Sequence, residues 1–66
     1  MDIILNGEPH QAPDNCTVLG LLESLQVDPS RVAVELNGQI VNKTLWSTVE
    51  VTPGSKLEVV MFVGGG

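Results

Sequence analysis

Val32-Ala33-Val34-Glu35-Leu36-Asn37-Gly38-Gln39-Ile40-Val41 reads as a strand, a two-residue turn and a short return arm. The first five residues favour a pleated, half-buried surface, and Asn-Gly is the strongest short hairpin signal because both turn residues take positive φ. The same grammar recurs near the N-terminus, where Ile3-Ile4-Leu5 meets Asn6-Gly7. Its return strand, Glu8 to Ala12, contains Pro9, which lacks a ladder donor and so places that strand at an edge. Pro13-Asp14-Asn15 breaks the chain. Between the two hairpins lies one helix, with Thr17 as N-cap and Asp14 and Asn15 as alternatives. Val18, Leu22 and Leu25 follow i, i+4, i+7 spacing, and Leu21 joins their stripe. Asp28-Pro29-Ser30 ends the helix, and Gly20 within it costs up to about 1 kcal/mol against alanine while admitting close packing.

Beyond the second hairpin, Trp46 sits in a turn-like segment, Lys43 to Thr48, as a plug for the core. Pro53-Gly54-Ser55 is a tight turn that delivers the last strand, Lys56 to Val63. Hairpin, helix, then further strands make an α+β domain, with one helix packed on a small mixed sheet.

Sixty-six residues make one small domain, whose folded form buries only about 60% of the unfolded surface and has no room for a deep active site. No apolar run approaches the roughly 20 residues of a membrane span. Met1-Asp2 leads into Ile3-Ile4-Leu5 without the basic and long apolar regions of a signal peptide. The single cysteine, Cys16, makes no internal disulfide and fits a reducing cytosol. Eight acids against three bases, Arg31, Lys43 and Lys56, leave a net charge of −5. Too few cations are present to neutralise nucleic-acid phosphates, whereas an acidic surface suits a basic protein partner.

In the last strand, Leu57, Val59, Met61 and Val63 alternate with Glu58, Val60 and Phe62. One helix covers one face of the sheet, so the other exposes Val60 and Phe62, with Ile4 from the first strand beside them. Apolar neighbours exposed on a small protein read as a docking patch.

Gly64-Gly65-Gly66 follows this strand. At a glycine usage of about 7%, a terminal triplet arises by chance roughly 3 times in 10,000, and glycine there costs entropy to order. The physical use of such a tail, residues 64–66 beyond a domain of residues 1–63, is passage through a space too narrow for side chains. It is a flexible tail reaching about 10 Å, and it presents the α-carboxylate of Gly66. That group is an anion near neutral pH and a poor electrophile. Attack on the α-phosphorus of ATP would activate it, yet the chain lacks a phosphate-cradling loop, so the activating enzyme is a separate protein. Cys16 has no histidine partner implied, since His10 lies in the weak second strand. The carboxylates are scattered without metal-site or acid–base spacing.

Over its whole length the chain resembles the ThiS family of sulfur carriers in thiazole biosynthesis. The resemblance rests on Ile3 to Gly7, the helix pattern Thr17-Val18 to Leu25, and Val32 to Val41. Trp46, Pro53-Gly54-Ser55 and Val63-Gly64-Gly65-Gly66 complete it. Where the family often has Pro-Arg after the Ile-Val pair, this chain has Asn42-Lys43. The resemblance implies a β-grasp, ubiquitin-like fold and a carrier that is itself no enzyme and binds no cofactor or metal. It implies that an E1-like adenylyltransferase of the ThiF type adenylates Gly66 with MgATP, and that a sulfur donor protein converts the adenylate to a thiocarboxylate. A thiazole synthase of the ThiG type then takes the sulfur. By the same resemblance Gly64 and Gly65 thread the channel, Ile4, Val60 and Phe62 meet the partner enzymes, and the setting is cytoplasmic, without nucleic acid or membrane. The small subunit of molybdopterin synthase, a ubiquitin-like protein modifier and a non-covalent β-grasp module are the competing readings.

Overall fold

In the computed structural model, which describes residues 1–62, both Asn-Gly pairs form the turns expected of them. Asn6 and Gly7 take φ of 50° and 82°, and Asn37 and Gly38 take 50° and 86°. Two consecutive positive φ values match the right-handed twist of the strands they join. The first hairpin pairs β1 (Asp2–Leu5) with β2 (Glu8–Gln11), and the second pairs β3 (Val32–Leu36) with β4 (Gln39–Ile40), both antiparallel. A further turn closes from the Ser55 N–H to the Thr52 carbonyl at 3.1 Å, with Gly54 at φ 81°. Proline followed by positive-φ glycine is the type II signature. It launches β5 (Lys56–Met61).

The five strands lie in the order β2-β1-β5-β3-β4, so the last strand in sequence is the central one in space. It runs parallel to β1 and antiparallel to β3, which makes the sheet mixed. One helix, α1 (Val18–Leu25), covers one face. Its Val18, Leu21 and Leu22 pack with Ile3, Val32, Val34 and Leu57 in a single core, with Trp46 and Val51 closing its margin. This is the β-grasp arrangement.

Thr17 caps α1, its Oγ1 accepting the Gly20 N–H at 3.1 Å. Two further N–H groups of the helix start are satisfied from a distance: Val18 donates to the Val49 carbonyl and Leu19 to that of Trp46, each at 2.9 Å. The helix ends earlier than its sequence suggests. Gln26 takes the left-handed conformation at φ 59° and turns its N–H back to Glu23 and Leu22. Asp28-Pro29-Ser30 belongs instead to a separate 3₁₀ turn, Pro29–Arg31, capped by Asp28. Gly20 is not a close-packing site either. A Cβ there meets Cys16 Cβ and Thr17 Oγ1 at 3.5 Å, an ordinary contact.

Candidate functional site

The face of the sheet away from α1 carries the exposed apolar residues, and strand register fixes which of them are neighbours. Val60 pairs with Ala33, Glu58 with Glu35, and Glu35 in turn with Ile40. Val60 is 54% exposed, Phe62 57% and Ile40 78%. Alternation along β5 puts Val60 and Phe62 on this face. Ile4 shares the face but is only half-buried beside Lys56, its parallel partner, and Pro9. Lys56 and Glu58 therefore separate Ile4 from Val60, about 13 Å along the strand. The patch expected around Ile4, Val60 and Phe62 is not contiguous. Its far side is Ile40, which the hairpin register places on the same face as Glu35 and Ala33. A two-residue Asn37-Gly38 turn fixes that register, so the signal was already in the sequence. Met61, on the alternate face, is 58% exposed because core packing does not extend to it.

At the end of β5 the Phe62 N–H donates to the Arg31 carbonyl at 2.8 Å. The strand is assigned through Met61, and Val63, Gly64, Gly65 and Gly66, including the expected tail and its carboxylate, lie outside the described residues. As the central strand, β5 is held on one side by β3 and on the other by β1 and then by the Asn6 side chain, so the last described residues leave a braced platform.

Beside Phe62 lies a shallow depression of about 210 Å³ with a mostly apolar lining that includes Ala33, Ile40, Val41, Trp46 and Phe62, and with Lys43 at its rim. Trp46 is 3% exposed and its Nε1–H donates to the Val41 carbonyl at 3.0 Å, so the ring plugs the core as its sequence context suggests. Lys43 Nζ stands 5.4 Å from the ring centroid, a cation–π position. Asn42 caps the short 3₁₀ turn Lys43–Leu45 that carries this lysine, accepting the Thr44 N–H at 3.0 Å.

Asp28 organises the neighbouring turn. Its Oδ1 accepts from Ser30 Oγ at 2.7 Å and from the Ser30 N–H at 2.9 Å. These bonds hold its carboxyl below the ordinary value, and the charges of Arg31 and Lys43 act in the same direction. Arg31 Nε lies 3.5 Å from Asp28 Oδ2.

The chain's other reactive candidates are placed apart. Cys16 is buried in the core beside the helix start, its carbonyl accepting the Val51 N–H. His10 stands on β2 opposite Ile3. Among the described residues no three His, Cys, Asp or Glu side chains converge as a metal site would require, and no helix is long and apolar enough to cross a membrane.

Against known proteins, the model of the ThiS family matches residues 3–66. The sulfur carrier protein ThiS of Bacillus subtilis is 40% identical over 53 residues, covering 80% of each chain. A thiazole synthase of Paramagnetospirillum magneticum is 46% identical over 66 residues, the whole of this chain but only 20% of that one. The chain thus spans about a fifth of the length of the thiazole synthases it matches. Among solved structures, the crystal structure of the thiamine biosynthesis protein ThiS from Geobacter metallireducens superposes with a TM-score of 0.87 at 32% identity, each chain covered completely.

Proposed function

Because the chain belongs to the ThiS family, we propose that it is a sulfur carrier of thiamine biosynthesis, with the Gly66 carboxylate as the carrying group. One observation bears most of this reading: the family match runs from the first strand through Gly66. The chemistry of the residues agrees with it. A carboxylate oxygen of Gly66 attacks the α-phosphorus of ATP on a ThiF-type adenylyltransferase, with release of pyrophosphate. Hydrosulfide released by a donor protein then attacks the acyl carbon, AMP leaves and the S–H proton is lost, which gives the thiocarboxylate with no change of oxidation state. A ThiG-type thiazole synthase receives the sulfur. MgATP belongs to the activating enzyme, and the carrier itself supplies no catalytic group. Gly64 and Gly65 pass the channel that leads to the nucleotide, and Val60 and Phe62 seat the platform on the partner. The reactions take place in the cytoplasm.

The test is the intact mass of the chain after incubation with its adenylyltransferase, MgATP and a sulfur source. A gain equal to sulfur replacing one oxygen, placed on Gly66 by fragmentation, is the expected result. An unchanged mass alongside an enzyme that adenylates a known carrier overturns the reading.

A further inference from the structure

The two hairpin turns carry the same dipeptide, and Asn-Gly has a covalent chemistry as well as a turn geometry. A glycine nitrogen following asparagine is an unhindered nucleophile, because no Cβ shields it. At both turns that nucleophile is open to solvent. Neither the Gly7 nor the Gly38 N–H donates a hydrogen bond among the described residues, and a Cβ on either glycine would meet nothing within 4 Å. What differs is how firmly each asparagine carboxamide is held away from it.

At Asn6 both ends of the carboxamide are engaged, Oδ1 by the Val59 N–H at 2.8 Å and Nδ2 by the Val59 carbonyl at 3.3 Å. All of β1 pairs with all of β2 behind this turn, from Leu5 with Glu8 to Asp2 with Gln11. At Asn37 only Oδ1 is engaged, accepting the Lys56 N–H at 2.9 Å. Its hairpin is closed by Leu36 with Gln39 and Glu35 with Ile40, and by the Val41 N–H donating to the Val34 carbonyl at 2.9 Å. Gln39 and Ile40 are both exposed. So short an arm belongs to the low end of local opening free energies.

We infer that Asn37-Gly38 is a site of spontaneous deamidation, and that the grip of Asn6 on β5 holds off the same reaction at Asn6-Gly7. When the second hairpin opens, the Gly38 nitrogen attacks Asn37 Cγ. The Cγ–Nδ2 bond breaks, ammonia leaves with the glycine proton, and a succinimide ring closes. Water then opens the ring at one carbonyl or the other. One product is an aspartyl residue at position 37, and the other is isoaspartyl, whose backbone runs through the side-chain carbon. Nothing is oxidised or reduced, and water is the sole co-reactant.

Either product adds a carboxylate beside a depression of about 230 Å³ lined by Glu35, Gly38, Lys56 and Glu58, where two acids already stand with one base. The aspartyl form can still accept the Lys56 N–H. The isoaspartyl form lengthens the turn by one backbone carbon and breaks the register that pairs Ile40 with Glu35. Conversion therefore changes the charge, and then the shape, of the face on which Ile40 and Val60 are exposed.

The experiment follows the full chain over time at mildly alkaline pH, folded and in urea. Trypsin, cutting after Arg31, Lys43 and Lys56, puts Asn6 and Asn37 on different peptides. The readout is the mass gain of OH replacing NH2 in each peptide, with fragmentation to distinguish Asn37 from Asn42. In the folded chain Asn37 is expected to convert on the order of tenfold faster than Asn6, the equivalent of about 1.4 kcal/mol in local opening. In urea the two rates should converge, since both sites are then the same unfolded dipeptide. Equal rates in the folded chain, faster conversion at Asn6, or an intact Asn37 after a time that converts it in urea each overturn the inference. A ratio that persists unchanged in urea also overturns it, because neighbouring residues and not the fold would then set the rates. The aged chain is expected to melt below Asn37→Asp, which carries the charge without the isoaspartyl backbone; equal melts would sink the loss of register.

Discussion

The carboxamide of Asn6 continues the parallel ladder past the end of β1: its Oδ1 accepts the Val59 N–H at 2.8 Å and its Nδ2 donates to the Val59 carbonyl at 3.3 Å. One side chain thereby braces the central strand just before the tail. Asn37 does the same for the start of that strand, its Oδ1 accepting the Lys56 N–H at 2.9 Å. Each Asn-Gly pair is thus both a turn and a clip on β5. Asn6→Gly keeps the positive φ and removes only the clip, so it isolates this role. Two lost hydrogen bonds predict a cost of about 1–3 kcal/mol in urea denaturation, with faster hydrogen exchange at the Val59 amide. Unchanged Val59 protection would count against the clip.

Gly20 offers the opposite sign. With only ordinary contacts awaiting a Cβ, Gly20→Ala lowers the entropy of the unfolded chain and favours the helix. The expected gain is about 0.4–1 kcal/mol, read as a rise in the denaturation midpoint at constant m-value. A loss of stability would mean that the helix start is packed more tightly than these contacts indicate.

Trp46 separates packing from hydrogen bonding. Trp46→Phe keeps much of the plug but orphans the Val41 carbonyl, a predicted cost of about 1–3 kcal/mol. Trp46→Ala empties the site and costs about 3–5 kcal/mol. Equal losses for the two, compared in one thermal or urea series, would show that the ring volume carries little of its weight.

Legibility from sequence varied with the range of the interaction. Local chemistry was enough for the turns at Asn6-Gly7, Asn37-Gly38 and Pro53-Gly54, for the Thr17 cap and for the buried Trp46. Where the outcome depends on distant groups, the residues mislead or are silent. The helix stops at Gln26 because a non-glycine residue takes the left-handed conformation there, which propensity does not announce. The order β2-β1-β5-β3-β4 is set by pairings over long separations, and it alone sets the distance between Ile4 and Val60. Gly66 was singled out by composition and resemblance, signals that do not depend on packing.

Asp28 gives the acid end of the stability curve a definite sign. Its folded value lies below the ordinary aspartate value of 3.8, so protons bind more readily to the unfolded chain. Its contribution is complete above the unfolded value and is lost as pH falls through the folded one. Asp28→Asn keeps a cap but carries no charge to titrate. The stability gap between wild type and this variant should be constant near neutrality and close as pH drops below about 4. A gap unchanged down to a pH of about 2, well below the ordinary carboxylate range, would exclude Asp28 as a source of acid sensitivity; circular dichroism supplies the readout.

The register of the uncovered face yields a ranking of substitutions. Val60 and Phe62 are exposed at the end of β5, so under the proposed docking Val60→Asp and Phe62→Asp introduce charge where the partner would close over the platform. A desolvated carboxylate in an interface is expensive, and adenylation should suffer at least about tenfold through KM, the equivalent of about 1.4 kcal/mol. Ile4 lies beyond Lys56 and Glu58 on the same face, and Ile4→Thr should affect adenylation much less even where it lowers the melting temperature. Steady-state adenylation of the three variants, with a melt of each, decides the matter. If Ile4→Thr raises KM as strongly as Phe62→Asp while remaining folded, the partner covers the whole sheet face, and docking is not confined to the end from which the tail departs.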